Sequence, residues 1–225
     1  MICYILTLLA LFISMIAQWY VNATYNKCLG KVIVGDKSGF DVAKMLLEKN
    51  DLSNIYVLET GGVLSDHYDP SRKVVKLSHD VFHLNSVASI SVAAHEVGHA
   101  IQDKEGYNFF RIRSFFVPIV NLCSKFGYIA IMIGLVFSLF DLSIVGMILL
   151  GTTLIFQLIT LPVELDASRR ALDSLMKYKL VTKEEQELCR TMLRAAAFTY
   201  VASLVSTIFE LLRLVLVIFD SNRRD

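Results

Sequence analysis

Charge is scarce in this chain of 225 residues, where Asp, Glu, Lys and Arg together make up 19% against 55% hydrophobic residues. Too few polar side chains are available to cover a water-soluble globule, so a freely soluble protein is excluded. An excess of either sign is also missing. The 22 basic and 21 acidic residues leave a formal net charge of +1, hence no global field for nucleic acid, and no such partner is expected. With 11 Gly and 3 Pro the chain is not a linker or a low-complexity segment. Cysteine is confined to Cys3, Cys28, Cys123 and Cys189, without a C-x-x-C pair, which argues against a disulfide framework or a zinc–thiolate site.

What is abundant is apolar sequence, and it comes in blocks. Ile2 to Val21 holds no charge and is long enough to cross a bilayer as a helix, with Trp19 and Tyr20 where interfacial aromatics belong. No Lys or Arg precedes it, whereas Lys27, Lys31 and Lys37 follow it, so it reads as an uncleaved anchor with its N-terminus outside. Phe115 to Phe140 and Leu142 to Val163 are separated only by Asp141 and read as a transmembrane hairpin. Pro118 lies near the start of its first arm and Pro162 at the end of its second. The fourth block, Ala195 to Phe219, contains Glu210 and Arg213, spaced to pair on one helical face. It is either a fourth span or a membrane-surface helix.

Five segments follow: an anchor (1–21), a polar region with a small sheet and a helix (22–114), the hairpin (115–163), a polar helix (164–194) and the last apolar helix with its tail (195–225). The stretch Asn22 to Ser114 holds 11 basic residues and Glu164 to Arg194 holds 7, while Asp141 at the hairpin turn has none beside it. The positive-inside rule puts both polar stretches in the cytoplasm of a multi-pass protein of the cell membrane. Ser38 to Lys49 has helical spacing, Ile55 to Glu59 and Arg72 to Leu77 read as strands about a Gly61-Gly62 turn, and a helix from the cap Asn85 runs to about Gln102. Thr182 and Glu185 form a capping box that opens the last helix.

His95-Glu96-Val97-Gly98-His99 matches H-E-x-x-H. On a helix the two imidazoles share a face one turn apart and can reach one Zn2+, with Glu96 beside them as general base toward an activated water. Hydrolytic zinc needs a third protein ligand. No His follows His99; His67, His79, His83 and the carboxylates remain, and Glu164, the first acid after an uncharged span, is the preferred candidate. At Glu164 the competing role is a helix N-terminal acid favoured by the macrodipole. Tyr200 is a candidate oxyanion donor or else an interfacial anchor. The strand Arg72 to Leu77 could offer an edge to an extended peptide or simply complete the sheet. His67 and His79 read as surface residues, and Asp166 as a structural acid pointing away from Glu164.

The segments L-S-D-H-Y-D-P (Leu64 to Pro70), A-A-H-E-V-G-H-A-I-Q (Ala93 to Gln102), P-V-E-L-D-A-S (Pro162 to Ser168) and A-A-A-F-T-Y-V-A (Ala195 to Ala202) carry a resemblance. Over nearly its whole length the chain resembles the YugP-type family of neutral zinc membrane metallopeptidases. More distantly it is similar to gluzincin membrane proteases of the HtpX and CAAX prenyl protease types. That resemblance implies a mainly α, multi-pass helical membrane protein with a small α+β zincin-like cytoplasmic portion. It also implies one catalytic Zn2+ and peptide-bond hydrolysis of membrane-protein or membrane-proximal peptide substrates at the lipid bilayer. The distant relatives' E-x-x-A-D motif, laid on Glu164 to Ser168, puts the third ligand on Glu164. Ser168 stands where those relatives have Asp, so the acceptor that would orient a ligating His is changed.

Two other readings compete. A catalytically silent zinc-binding scaffold could dispense with Glu96, which is present. A site-2-type intramembrane protease would place H-E-x-x-H in a spanning helix and add a downstream D-G, but Ser86 to Ile101 is too polar to span and no D-G follows.

Overall fold

A computed structural model describes residues 1–222. In chain order the elements are α1 (Ile2–Leu29), α2 (Gly39–Lys49), β1 (Tyr56–Thr60), β2 (His67–Asp69), β3 (Val74–Ser78), α3 (His79–His83), α4 (Val87–Glu105), α5 (Asn108–Val136), α6 (Phe140–Lys177) and α7 (Lys183–Asn222). The protein is mainly helical. Four of its helices, α1, α5, α6 and α7, are long and apolar enough to cross a membrane.

Two compact units divide the chain. One comprises Met1–Gln18, Arg111–Leu161 and the part of α7 from Thr199. Here α5 and α6 approach closely through glycine: a Cβ on Gly146 would lie 2.7 Å from the Gly127 carbonyl oxygen. Ile131, Leu150, Leu214 and Ile218 form its buried cluster, while Leu8, Phe12, Phe115, Val136 and Ile148 point outward and exposed. An apolar exterior of this extent suits hydrocarbon rather than water. Several polar groups within it pair with one another: Ser14 and Ser206 share a 2.9 Å hydrogen bond, Gln157 Nε2 donates to Ser203 Oγ at 3.0 Å, and Arg213 Nε donates to Glu210 Oε2 at 3.0 Å.

The turn between α5 and α6 differs from the expected one. It falls at residues 137–139, not at Asp141, which lies in the first turn of α6. Ser138 takes the left-handed conformation (φ 54), and Leu139 N donates to Gly134 O at 2.7 Å, ending α5. Asp141 at a helix N-terminus is favoured by the dipole, so it opens the second arm rather than separating the two.

The second unit is Trp19–Phe110 with Pro162–Phe198. Its sheet has the order β1-β3-β2, with β1 parallel and β2 antiparallel to β3. The strand expected to offer an edge is therefore the central one, and β2 is an edge. The capping box of Ser38 and Asp41 starts α2, whose Val42, Ala43, Leu46 and Leu47 are buried. Leu77, Ile90, Leu175 and Met192 are fully buried in the same core, each worth about 1.5–3 kcal/mol relative to exposure.

Two helix starts also depart from expectation. The N-cap of α4 is Ser86, whose Oγ accepts from Ser89 N at 3.1 Å, while Asn85 donates its amide to the Ile33 and Gly35 carbonyls. No new helix begins at Glu164, because α6 continues through Pro162 to Lys177. A proline removes only one ladder bond, here to Leu158, and a long helix held on both sides of it tolerates the loss. The Thr182–Glu185 box does open α7: Thr182 N donates to Glu185 Oε2 at 2.8 Å and Glu185 N to Thr182 Oγ1 at 3.2 Å.

Candidate metal centre

The helix α4 carries H-E-V-G-H in its second half, closed by Gly106 in the left-handed conformation at φ 66. The backbone of α6 lies directly against it. A Cβ on Gly98 would be 2.7 Å from the Ala167 carbonyl oxygen, so glycine is required for this approach. It brings Glu164, 2% exposed, to the two histidines.

Glu164 Oε2 lies 3.2 Å from His95 Nε2 and 3.6 Å from His99 Nε2. One nitrogen from each histidine and a carboxylate oxygen all fall within 4.8 Å of one another. Both rings are held from behind through their other nitrogen. His99 Nδ1 is 3.0 Å from Gln102 Oε1. The Gln102 amide nitrogen donates to Val163 O and to Asp166 Oδ2, both at 2.9 Å. Those two partners only accept, so the amide orientation is fixed and Oε1 must accept from His99. His99 thus carries a proton on Nδ1, and Nε2 is the nitrogen that faces Glu164. His95 Nδ1 lies 3.2 Å from Ser168 Oγ, where the distant relatives have their acid.

Asp166 is more than a structural acid. It accepts from Gln102, from Arg169, and from Arg170 Nε at 2.5 Å, and Arg170 Nη1 also reaches Glu105 Oε2 at 2.6 Å. It therefore anchors the group that orients His99. Gln102 is the site residue that sequence reasoning missed. Its available signal was a neutral amide three residues after His99, on the same helical face.

Glu96 is buried beside the triad and accepts a backbone hydrogen bond from Tyr68 of the edge strand β2. Burial pushes its carboxyl up from 4.5 to about 7, against the lowering field of His95. Tyr200 belongs to the other unit, on α7, where it is half-buried. His67 is exposed, and His79 and His83 are exposed with Glu59.

The donor set fits zinc: two imidazole nitrogens and one carboxylate oxygen, largely buried, with each ring contacted on its other nitrogen by a second partner. Apolar, span-length helices together with this cluster fit the class of membrane proteins with a candidate zinc site. Residues 3–219 match the family described as "putative neutral zinc metallopeptidase", and the chain belongs to that family. It is also 37% identical over 222 residues, 99% of this chain and 99% of the relative, to the protein named "Putative membrane protease YugP" of Bacillus subtilis (strain 168). No solved structure matches.

Proposed function

We propose that the protein is a membrane-embedded zinc endopeptidase of the gluzincin type, with His95, His99 and Glu164 as ligands of one Zn2+ and Glu96 as general base. The observation that carries this reading is the convergence of His95 Nε2, His99 Nε2 and Glu164 Oε2, with both Nδ1 atoms held from behind. A Zn2+ held there would supply Lewis acidity to a water molecule and to the scissile carbonyl. The Glu96 carboxylate accepts the proton of that water and passes it to the leaving amine, a task that its burial beside the two histidines suits. Ser168 and Gln102 keep the imidazoles oriented while Asp166 holds Gln102. The presence of Glu96 favours an enzyme over a silent scaffold.

The cytoplasmic side of the cell membrane is the proposed location, supported by the basic residues gathered in 22–114 and 164–194. A site attached to four span-length helices favours membrane proteins or peptides close to the bilayer as substrates. Tyr200 is proposed as an interfacial anchor rather than an oxyanion donor.

The test is cleavage of casein and of a membrane-protein substrate by the full-length, zinc-loaded protein and by Glu96→Gln. The variant should keep its zinc and lose roughly 10²–10⁴-fold in rate. If both proteins hold zinc and neither cuts, the enzyme reading fails. Cysteine labelling near Lys104 and Lys177 should find both on the cytoplasmic face.

A further inference from the structure

We propose that Glu59, His79 and His83 form a second site for a divalent transition metal, apart from the cluster of His95, His99 and Glu164. The parallel register aligns Glu59 with Leu77 and Thr60 with Ser78. Since β3 ends at Ser78 and α3 begins at His79, this register sets the Glu59 side chain next to the first turn of α3. One helical turn then places His79 and His83 on the same face, with their ring centroids 4.8 Å apart.

Each ring turns a nitrogen to a different oxygen of the one carboxylate. His79 Nδ1 is 2.7 Å from Glu59 Oε1, and His83 Nε2 is 3.1 Å from Glu59 Oε2. One donor atom from each residue lies within 4.8 Å of the others. Ligands about 2.0–2.1 Å from a tetrahedral zinc stand about 3.3 Å from one another. From contacts of 2.7 Å and separations of up to 4.8 Å, the donor atoms have to move by about 0.6–1.5 Å to reach that spacing, which rotation of exposed side chains allows.

The backbone beneath them is fixed although the side chains are exposed. Val81 is fully buried, the Phe82 ring stacks on Phe40 at 4.7 Å and lies 4.8 Å from the His83 ring, and Ser89 Oγ donates to the Asp80 carbonyl at 3.1 Å. A surface His–carboxylate contact is too weak to gather three mobile side chains by itself, so their convergence follows from this support. Two imidazoles and one carboxylate select zinc and its neighbours rather than magnesium or calcium, and an exposed site leaves the remaining position to water. Occupancy ties the end of β1 to α3.

This inference does not rest on the peptidase reading. The experiment measures zinc per chain by mass spectrometry, using full-length protein in detergent dialysed against zinc buffered from low nanomolar to high micromolar. Wild type should take up two ions per chain. His79→Ala, His83→Ala and Glu59→Gln should take up one and keep casein cleavage where wild type shows it, whereas the exposed His67→Ala control should keep two. The double variant His95→Ala, Glu164→Ala should retain the second ion. With cobalt as the probe, the visible bands that remain in the His95→Ala, Glu164→Ala variant should vanish when His83→Ala is added to it. A wild type whose single ion is lost in the His95→Ala, Glu164→Ala variant, a second ion unaffected by His79→Ala and His83→Ala, or one equally lost in His67→Ala, would each overturn the proposal. The metal-free thermal transition of the variants, expected to match wild type, separates lost ligands from a lost fold.

Discussion

Gly98 lies against Ala167 so closely that a methyl group on it would sit 2.7 Å from the Ala167 carbonyl oxygen. The obstacle is backbone on a long helix, not the end of a flexible side chain, so it cannot step aside. Gly98→Ala gains about 0.8–1.0 kcal/mol of helix propensity but incurs overpacking of about 1–3 kcal/mol. The net effect should be destabilising, and α6 should shift so that Glu164 leaves the histidines. Zinc content and the thermal transition measured together should both fall. A Gly98→Ala protein with full zinc and an unchanged transition would contradict this close approach.

Gln102 gives a second prediction. Its amide joins His99 to Val163 and Asp166, so Gln102→Ala removes the acceptor behind one ligand and the donor to a buried carbonyl and to a half-buried carboxylate. Zinc affinity should drop about 10–100-fold, with about 1–3 kcal/mol lost from stability. Gln102→Glu should be informative beside it. A carboxylate can still accept from His99 but meets Asp166 without a donor, so it should lose stability while recovering part of the zinc affinity. Competition with a chromophoric chelator measures the affinity and thermal unfolding the stability.

These relationships explain why some of the site could be read from sequence and some could not. His95, Glu96 and His99 are local to one helix, so their shared face follows from the period alone. Glu164 was marked by being the first acid after a long uncharged run. Gln102 acts through partners 61 and 64 residues away, and its one local signal, an amide one turn after His99, does not reveal them. Asp166 points away from Glu164 around α6, as the spacing requires, yet the length of Gln102 connects it to the same site. In the fold, the hairpin turn was misplaced because Ser138, not glycine, takes the left-handed position. The central place of β3 was hidden because β2 is only three residues long.

Ser168 tests how a neutral acceptor substitutes for an acid. Its Oγ is 3.2 Å from His95 Nδ1, and a hydroxyl accepts more weakly than a carboxylate. Ser168→Ala should therefore reduce zinc affinity less than Gln102→Ala, because it leaves fewer buried groups without partners. Ser168→Asp restores the acid found in the distant gluzincins and should tighten zinc binding relative to wild type. If Ser168→Ala costs more than Gln102→Ala, the ranking of the two supports is wrong.

Burial of Glu96 predicts a pH dependence of stability in the metal-free protein. Its folded pKa, about 7, lies above the ordinary 4.5, so the folded state holds this proton more tightly than the unfolded chain. Below about 4.5 both states are protonated and the contribution is fully present. As pH rises the unfolded chain ionises first, and the contribution declines until it is lost above about 7. The gap between 4.5 and about 7 corresponds to roughly 3 kcal/mol. Glu96→Gln carries no such proton, so it should unfold much like wild type in acid and be the more stable protein above neutrality. For a chain of this length the separation amounts to roughly 6–12 °C in Tm. Zinc should shrink it, because a nearby dication favours the charged carboxylate and returns stability to wild type alone. Metal-free wild type and Glu96→Gln whose transitions stay parallel from acid to alkaline pH would show that Glu96 is not desolvated in the folded protein.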